Sequence, residues 1–527
     1  MNLFSNPEIV RNARIQLRPR KLLIAGGICA AISVAMVYFI LEGNRTGFNG
    51  VYDGQELLKM TLWIQAIVLV FGGGIACLHA VQREKDQNTF DSQRLTRLSP
   101  WELTLGKLFG PPLMAYFIFL CFLPAAIIGA AYARSNWTIV LAAYTILILG
   151  AIVFDALALV ISLYLRRGTV TWAILAFLAI VYESSFVSPG AFLQLSLGPV
   201  GPFSVIELAA RDSWSLASQL PTVSDRTPFS FRDLFFGLPL HHALVLSILY
   251  LTLLTWFLTA AVRNIKRDPE NYELYTTGQA MAFLCYLNFI LLAFFRWDVP
   301  SFSFVNRSPQ LTVVPIQPLA AQSLLLTANI ALFFIFGFLL LRNRVRMRRR
   351  LHSAEAAPVG LESMWPVPYI FVGALVVGAA MIGVIDWKRD PSLEWSLAVA
   401  VYRVIFFFVW LSIDLLFLQW MNLRRGRHPL ALGVLLLGVY YVCAVMIVTP
   451  LHWGERALTA ILLPTPLFVL NASLWSSQMA EWIIALAVEI AVAVVFILLR
   501  RRQLAELQPQ PHPSPVSMNA PAPSASL

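Results

Sequence analysis

Residues 83–107 read REKDQNTFDSQRLTRLSPWELTLGK, a charged stretch set between two long apolar runs. Ser99-Pro100-Trp101-Glu102 predicts a helix start, with a serine cap, proline at the first helical position and glutamate at the third to close a capping box. The helix it opens is expected to run through Gly106-Lys107 into the next apolar run. Upstream, Asn88 is placed to cap a short helix over Thr89 to Leu98. On that helix Phe90, Leu95 and Leu98 share one side, and Asp91, Arg94 and Arg97 face water. A short surface helix followed by a capped helix that returns to apolar sequence suits the docking of a partner outside the membrane.

The apolar runs on either side set the fold class. Hydrophobic residues make up 58% of the 527-residue chain and charged residues only 13%, so we expect an all-α polytopic membrane protein with about 12 spans. The +11 net charge is a topology signal. Under one consistent topology roughly 27 of the Lys and Arg residues fall inside and about 11 outside. This argues against a nucleic-acid partner.

In chain order, residues 5–20 carry Ser5-x-x-Glu8 with Pro7, then Arg11, Arg14 and Arg18 on one face against Val10, Ala13 and Leu17. They predict an amphipathic helix in the inner membrane interface. Span 1 is expected at about 22–41, span 2 at 60–81, span 3 at 108–132, span 4 at 137–163, span 5 at 170–187 and span 6 at 242–262. The longest outer segment, 188–240, mixes apolar residues with Pro and Gly and reads as a re-entrant or interfacial turn. Six further spans are expected at about 277–296, 318–341, 364–386, 395–421, 429–449 and 480–499. Residues 503–527, rich in Pro, Ala and Ser, read as a disordered tail. The first apolar run is longer than a signal-peptide core and lacks a cleavage site, so it is expected to remain as a span.

The chain also repeats itself. Leu165-Arg166-Arg167-Gly168 recurs as Leu423-Arg424-Arg425-Gly426, and the following runs align without a gap to Val181-Tyr182 and Val439-Tyr440. Leu463-Pro464-Thr465-Pro466 follows the second run much as the Pro-Gly turn follows the first. Two parallel six-span modules, 22–265 and 266–502, follow from this reading. In the second module the segment 342–363 is basic and lacks the Glu, Thr and Gly-Lys pattern of 83–107.

Glu84, Thr89, Leu95, Leu98-Ser99-Pro100-Trp101-Glu102 and Gly106-Lys107 together resemble the loop between the second and third spans of type-two ATP-binding-cassette permeases. That loop usually runs E-R-E-x-G-T-x-E-x-L, then a proline-containing turn, then G-K. Asn88 stands where the family has Gly, and Asp91 where it has Glu. Residues 1–21 similarly resemble the family's elbow helix, often begun by Asn-Pro. The resemblance implies a membrane subunit, most of whose relatives are exporters, with 83–107 as the coupling helix seated on cytosolic ATPase subunits. Glu84, Thr89, Phe90, Leu95, Leu98 and Glu102 would then form the ATPase-coupling site. It further implies a multi-pass protein of the plasma (bacterial inner) membrane with both termini cytoplasmic, working as a fused pseudo-dimer or a homodimer.

Five charges fall inside expected spans: Asp155, Glu183, Arg403, Asp414 and Glu489. Each costs about 2.5–3.5 kcal/mol in hydrocarbon unless paired or hydrated. They therefore face the bundle interior, either as a transport path or gate or as interhelical ties. Arg403 and Asp414 are about 16 Å apart in helical rise and cannot pair directly.

Catalytic and cofactor chemistry is not expected in this chain. There is no G-x-x-x-x-G-K-[ST] phosphate loop, no G-x-S-x-G and no H-E-x-x-H. The five cysteines lie in apolar runs without metal spacing, and the scattered histidines include only the adjacent pair His241-His242. ATP hydrolysis is thus expected on a separate subunit. Two other readings remain. One is a proton-driven secondary transporter using Asp155, Asp414 or Glu489. The other is a polytopic glycosyltransferase, for which the first outer loop offers only the loosely spaced Glu42, Asp53 and Glu56.

Overall fold

A computed structural model of the chain describes residues 6–42, 50–164, 242–267, 274–293, 298–305, 308–315, 397–424, 429–451 and 479–506. These residues form helices, apart from turns and one antiparallel hairpin, β1 (Asp298–Val305) with β2 (Ser308–Pro315), between the expected seventh and eighth spans. Long apolar sequence favours this architecture because a helix satisfies its own backbone hydrogen bonds where no water is present. Among the described residues, six helices are long and apolar enough to cross a membrane. The expected spans 5, 8 and 9, the long segment 188–240 and residues 507–527 of the tail lie outside the described residues. Residues 503–505, expected in the disordered tail, instead close the last helix, Met479–Ala505, where Leu504 is buried.

The chain divides into two compact units. The first comprises Met1–Tyr275 with Ile290–Ile316, and the second comprises Thr276–Phe289 with Gln317–Leu527.

The first unit begins with α1 (Pro7–Gln16), α2 (Pro19–Glu42) and α3 (Gly50–Ile67). A π-helical turn, Val68–Gly73, joins α3 to α4 (Gly74–Asp86). After the short α5 (Phe90–Arg94) come α6 (Pro100–Phe109), α7 (Leu113–Tyr132), α8 (Trp137–Tyr164) and α9 (His242–Asn264). The second span therefore starts earlier than the sequence suggests. The helix opened by Ser99 also does not run unbroken into the third span, because Gly110-Pro111-Pro112 interrupts it and two adjacent prolines remove two helix donors.

Within this unit α8 is the central helix and packs on α4 and α9, while α3 packs on α7. Burial reflects this order: 72% of the apolar window of α8 is buried, against 6% of that of α2, which therefore presents its sides to lipid. Gly129 permits the close α3–α7 crossing, since a Cβ there would lie 2.8 Å from the Leu58 backbone nitrogen. Gln65 ties three helices, donating to the Phe119 carbonyl at 3.1 Å and accepting the Tyr144 hydroxyl at 2.8 Å.

The second unit contains most of α10 (Thr277–Ala293), with α11 (Leu397–Leu423), α12 (Pro429–Leu451) and α13 (Met479–Ala505). These four match the expected seventh, tenth, eleventh and twelfth spans in position. α11 is the buried centre and packs on α12 and α13. Aromatic edges fill the contacts: Trp410 meets Tyr441 at 5.4 Å and Phe417 meets Phe496 at 5.7 Å between ring centroids.

Candidate functional site

The stretch 83–107 begins as a helix stop. Asn88 sits at φ 55°, the left-handed conformation that Asn tolerates better than most residues. Thr89 N–H donates to the Glu84 carbonyl at 2.9 Å, and Asn88 N–H donates to the Lys85 carbonyl at 3.3 Å. This paired pattern is a Schellman closure of α4. Asn88 is therefore not the N-cap of the following helix. That helix, α5, covers only five residues, and Thr89 stands at its cap position without a capping side-chain bond.

The second half of the stretch follows its sequence signature. Ser99 Oγ accepts the Glu102 N–H at 3.2 Å, and the Glu102 carboxylate accepts the Ser99 N–H at 2.7 Å. That backbone donor, followed by the Ser99 hydroxyl, holds the Glu102 carboxyl below its ordinary value.

Four charged side chains fasten the stretch to α1. Glu84, 7% exposed, pairs with Lys107, 1% exposed. Arg11 donates to Glu84 Oε1 at 2.9 Å and to Glu8 Oε1 at 2.7 Å, and Lys107 Nζ lies 3.7 Å from Glu8 Oε1. Two cations thus meet two carboxylates, which leaves no net charge buried. Gln93 adds a bond to Glu84 Oε1 at 2.9 Å, and the Phe90 ring lies 5.8 Å from Lys107 Nζ. Gly106 allows this approach, because a Cβ there would lie 2.6 Å from Glu8 Cβ. Asn6, the N-cap of α1, donates to the Glu102 carbonyl at 2.7 Å.

Two further contacts bring helix ends to the same side. Lys85 donates to the Ser162 and Leu163 carbonyls at 2.9 and 2.7 Å, capping the end of α8. Lys266, just past α9, donates to the Thr96 carbonyl at 2.9 Å, and Arg94 donates to the Lys266 carbonyl at 3.4 Å.

The residues singled out from sequence therefore fall into two groups. Glu84 and Phe90 are buried and hold the loop in place, and Glu102 closes a local cap. Leu95 is 88% exposed, so it does not share a buried side with Phe90, and Leu98 is half-buried. Thr89 is exposed, and Trp101 is 48% exposed. Arg94, expected in water, is instead largely covered and pairs with Asp91 at 2.9 Å. Sequence reasoning passed over Glu8, Arg11 and Lys107 as members of one cluster. Their signal was the presence of opposite charges at the borders of apolar runs.

Among the charges inside the spans, Asp155 is fully buried and accepts the Tyr116 hydroxyl at 3.3 Å, while its Oδ1 has no hydrogen-bond partner among the described residues. Gly73, at the end of the π-helical turn, makes room for it: a Cβ there would lie 2.6 Å from Asp155 Oδ1. Asp414 accepts the Tyr441 hydroxyl at 2.6 Å. Glu489 is 1% exposed, and neither carboxylate oxygen has a described partner. Glu183 and the Arg403 side chain lie outside the described residues. The structure thus gathers Glu84, Phe90 and Glu102 near α1, whereas Asp155 and Asp414 occupy separate units. No group of three or more potential metal ligands occurs among the described residues. Set against protein-family models, curated proteins and solved structures, the chain matches none of them.

Proposed function

We propose that the chain is the membrane-spanning permease subunit of an ATP-binding-cassette transporter, an exporter driven by separate cytosolic ATPase subunits. In this reading residues 83–107 are the coupling element. The supporting observation is the contrast within that stretch: Leu95 and Trp101 stand exposed on a segment whose Glu84, Phe90 and Lys107 are buried. An apolar tip on a firmly anchored support can receive a push from a partner and pass it to α4 and α6.

The orientation follows from charge. Arg14, Arg18, Arg20, Lys21, Arg83, Arg97 and Arg267 lie on the side of this stretch and are exposed. The opposite turn, between α7 and α8, carries Arg134 alone. By the positive-inside rule this asymmetry supports a cytoplasmic basic side. The packing of α8 on α9 in one unit and of α11 on α13 in the other supports the reading of two fused six-span modules.

Co-expression with candidate ATPases from the gene neighbourhood of this chain, followed by purification on a tag carried by this chain alone, tests the proposal. Wild type is expected to retain the ATPase and Leu95→Asp to lose it, with the thermal stability of the permease unchanged because Leu95 is exposed. Glu84→Ala is a poorer probe, since it also unfastens α1. Failure of wild type to retain any ATPase in mild detergent and in nanodiscs would overturn the reading. The second reading, proton-coupled transport, is favoured by the oxygens of Asp155 and Glu489 that have no hydrogen-bond partner among the described residues.

A further inference from the structure

α1 is divided into three arcs. Glu8, Asn12 and Gln16, four residues apart, face α6 and α7. Glu8 is held in the ion cluster, Asn12 would meet a Cβ on Gly110 at 2.6 Å, and Gln16 bonds the Gly110 carbonyl at 3.4 Å and the Met114 N–H at 3.3 Å. Val10, Ala13 and Leu17 form a half-buried apolar arc. The third arc is exposed, with Arg14 beside Ile15, and Arg18 in the link after α1, with Arg20 and Lys21 in the first turn of α2, continues the exposed basic run.

None of these four cations has an acidic partner among the described residues. Glu8, the acid of α1, is committed to Arg11 and Lys107. The next acid along the chain, Glu42, ends α2, about 30 Å away by helical rise. The counter-charge must therefore come from outside these helices. Immediately beyond Lys21, Leu23 and Ile24 are 76% and 65% exposed on a helix long and apolar enough to cross a membrane, with only 6% of its apolar window buried. The basic arc thus stands at the level where hydrocarbon gives way to headgroups.

We propose that Arg14, Arg18, Arg20 and Lys21 form a binding surface for the phosphate headgroups of anionic phospholipids, holding α1 to the membrane surface. The adjacent lipid-facing residues favour a lipid over a soluble polyanion. This inference does not depend on the transporter reading.

The test is titration of the detergent-solubilised full chain with phosphatidylglycerol and, separately, with phosphatidylcholine, followed by native mass spectrometry. Wild type is expected to prefer phosphatidylglycerol. At about a factor of five for each basic residue, Arg14→Gln/Arg18→Gln should weaken that binding roughly thirtyfold. Arg14→Lys/Arg18→Lys keeps the charge and should keep most of the affinity. Arg501→Gln/Arg502→Gln, which removes two exposed charges from α13, should leave it unchanged. Equal binding of the two lipids overturns the proposal. So does unchanged affinity in the Gln pair, an equal loss in the α13 pair, or an equal loss in the Lys pair. A melting temperature in phosphatidylcholine nanodiscs equal to that of wild type shows that the Gln pair is folded.

Discussion

Glu84 and Lys107 are 23 residues apart in sequence and form a buried ion pair that joins the end of α4 to the last turn of α6. Removing one partner leaves a charge buried without its complement, which costs about 3–5 kcal/mol. Lys107→Met and Glu84→Gln are each expected to lower the melting temperature of the purified chain strongly. The Glu84→Gln/Lys107→Met double variant should be less damaged than the sum of the two. Strictly additive losses would show that the pair is not energetically coupled.

Gly106 is expected to tolerate no side chain. A Cβ at 2.6 Å from Glu8 Cβ must displace α1, a strain of about 1–3 kcal/mol. Gly106→Ala should lower the melting temperature and expose α1 to limited proteolysis. Gly27→Ala is the internal control, because nothing lies within 4 Å of a Cβ there. It should be neutral or stabilising by about 0.5–1 kcal/mol. Equal behaviour of the two variants would count against a close α1–α6 contact.

What the sequence disclosed and what it hid divide along local and distant interactions. The Ser99–Glu102 box was legible because both partners lie within one helical turn, and α2, α8, α9 and α11 were legible because uninterrupted apolar length alone dictates a membrane helix. The role of Asn88 was misassigned. Both a helix stop and a helix start favour Asn, and only the backbone conformation separates them. The cluster of Glu8, Arg11, Glu84 and Lys107 could not be assembled from spacing, since α1 returns to α6 across some hundred residues, as in the Asn6–Glu102 bond. The reversed exposure of Leu95 and Arg94 has the same cause: a five-residue helix has no sustained period to read.

The capping box should respond to pH. The Glu102 carboxyl is held below its ordinary value by the Ser99 N–H, so its contribution is fully present above about pH 4.3, the ordinary glutamate value. It is lost as pH falls through the lower, folded value. Hydrogen exchange of the first-turn amides of α6 should therefore accelerate, relative to the intrinsic rate, on acidification into that range. In Glu102→Gln the acceptor no longer titrates, and this pH dependence should vanish. Its persistence would assign the effect to another group.

Asn88 holds the left-handed closure of α4. Asn88→Gly should be neutral or slightly stabilising, because glycine adopts this conformation without steric cost. Asn88→Val should cost about 1–2 kcal/mol. Under the proposed function, the same order, Gly at least equal to Asn and both above Val, is expected for retention of an ATPase subunit if the loop position depends on this turn. A melting temperature for Asn88→Val equal to that of wild type would contradict the assignment of a strained closure.

The two buried aspartates should differ in their dependence on tyrosine. Tyr441 donates to Asp414 at 2.6 Å, within the range of a bond to a charged acceptor, whereas Tyr116 stands 3.3 Å from Asp155. Deleting the closer hydroxyl removes a strong bond from a carboxyl that is only 4% exposed. Tyr441→Phe should therefore cost about 1–3 kcal/mol, the desolvation penalty of an unsatisfied buried group, and Tyr116→Phe distinctly less. Asp414→Leu in the Tyr441→Phe background removes the orphaned acceptor and should recover part of the loss. If Tyr441→Phe is silent, or if Asp414→Leu deepens the loss, then Asp414 depends on some group other than the tyrosine. Under the proposed function, transport assays on these variants and on Asp414→Asn separate the two readings of these acids. A structural tie changes stability and transport together, whereas a residue on the transport path changes transport in Asp414→Asn while the melting temperature holds.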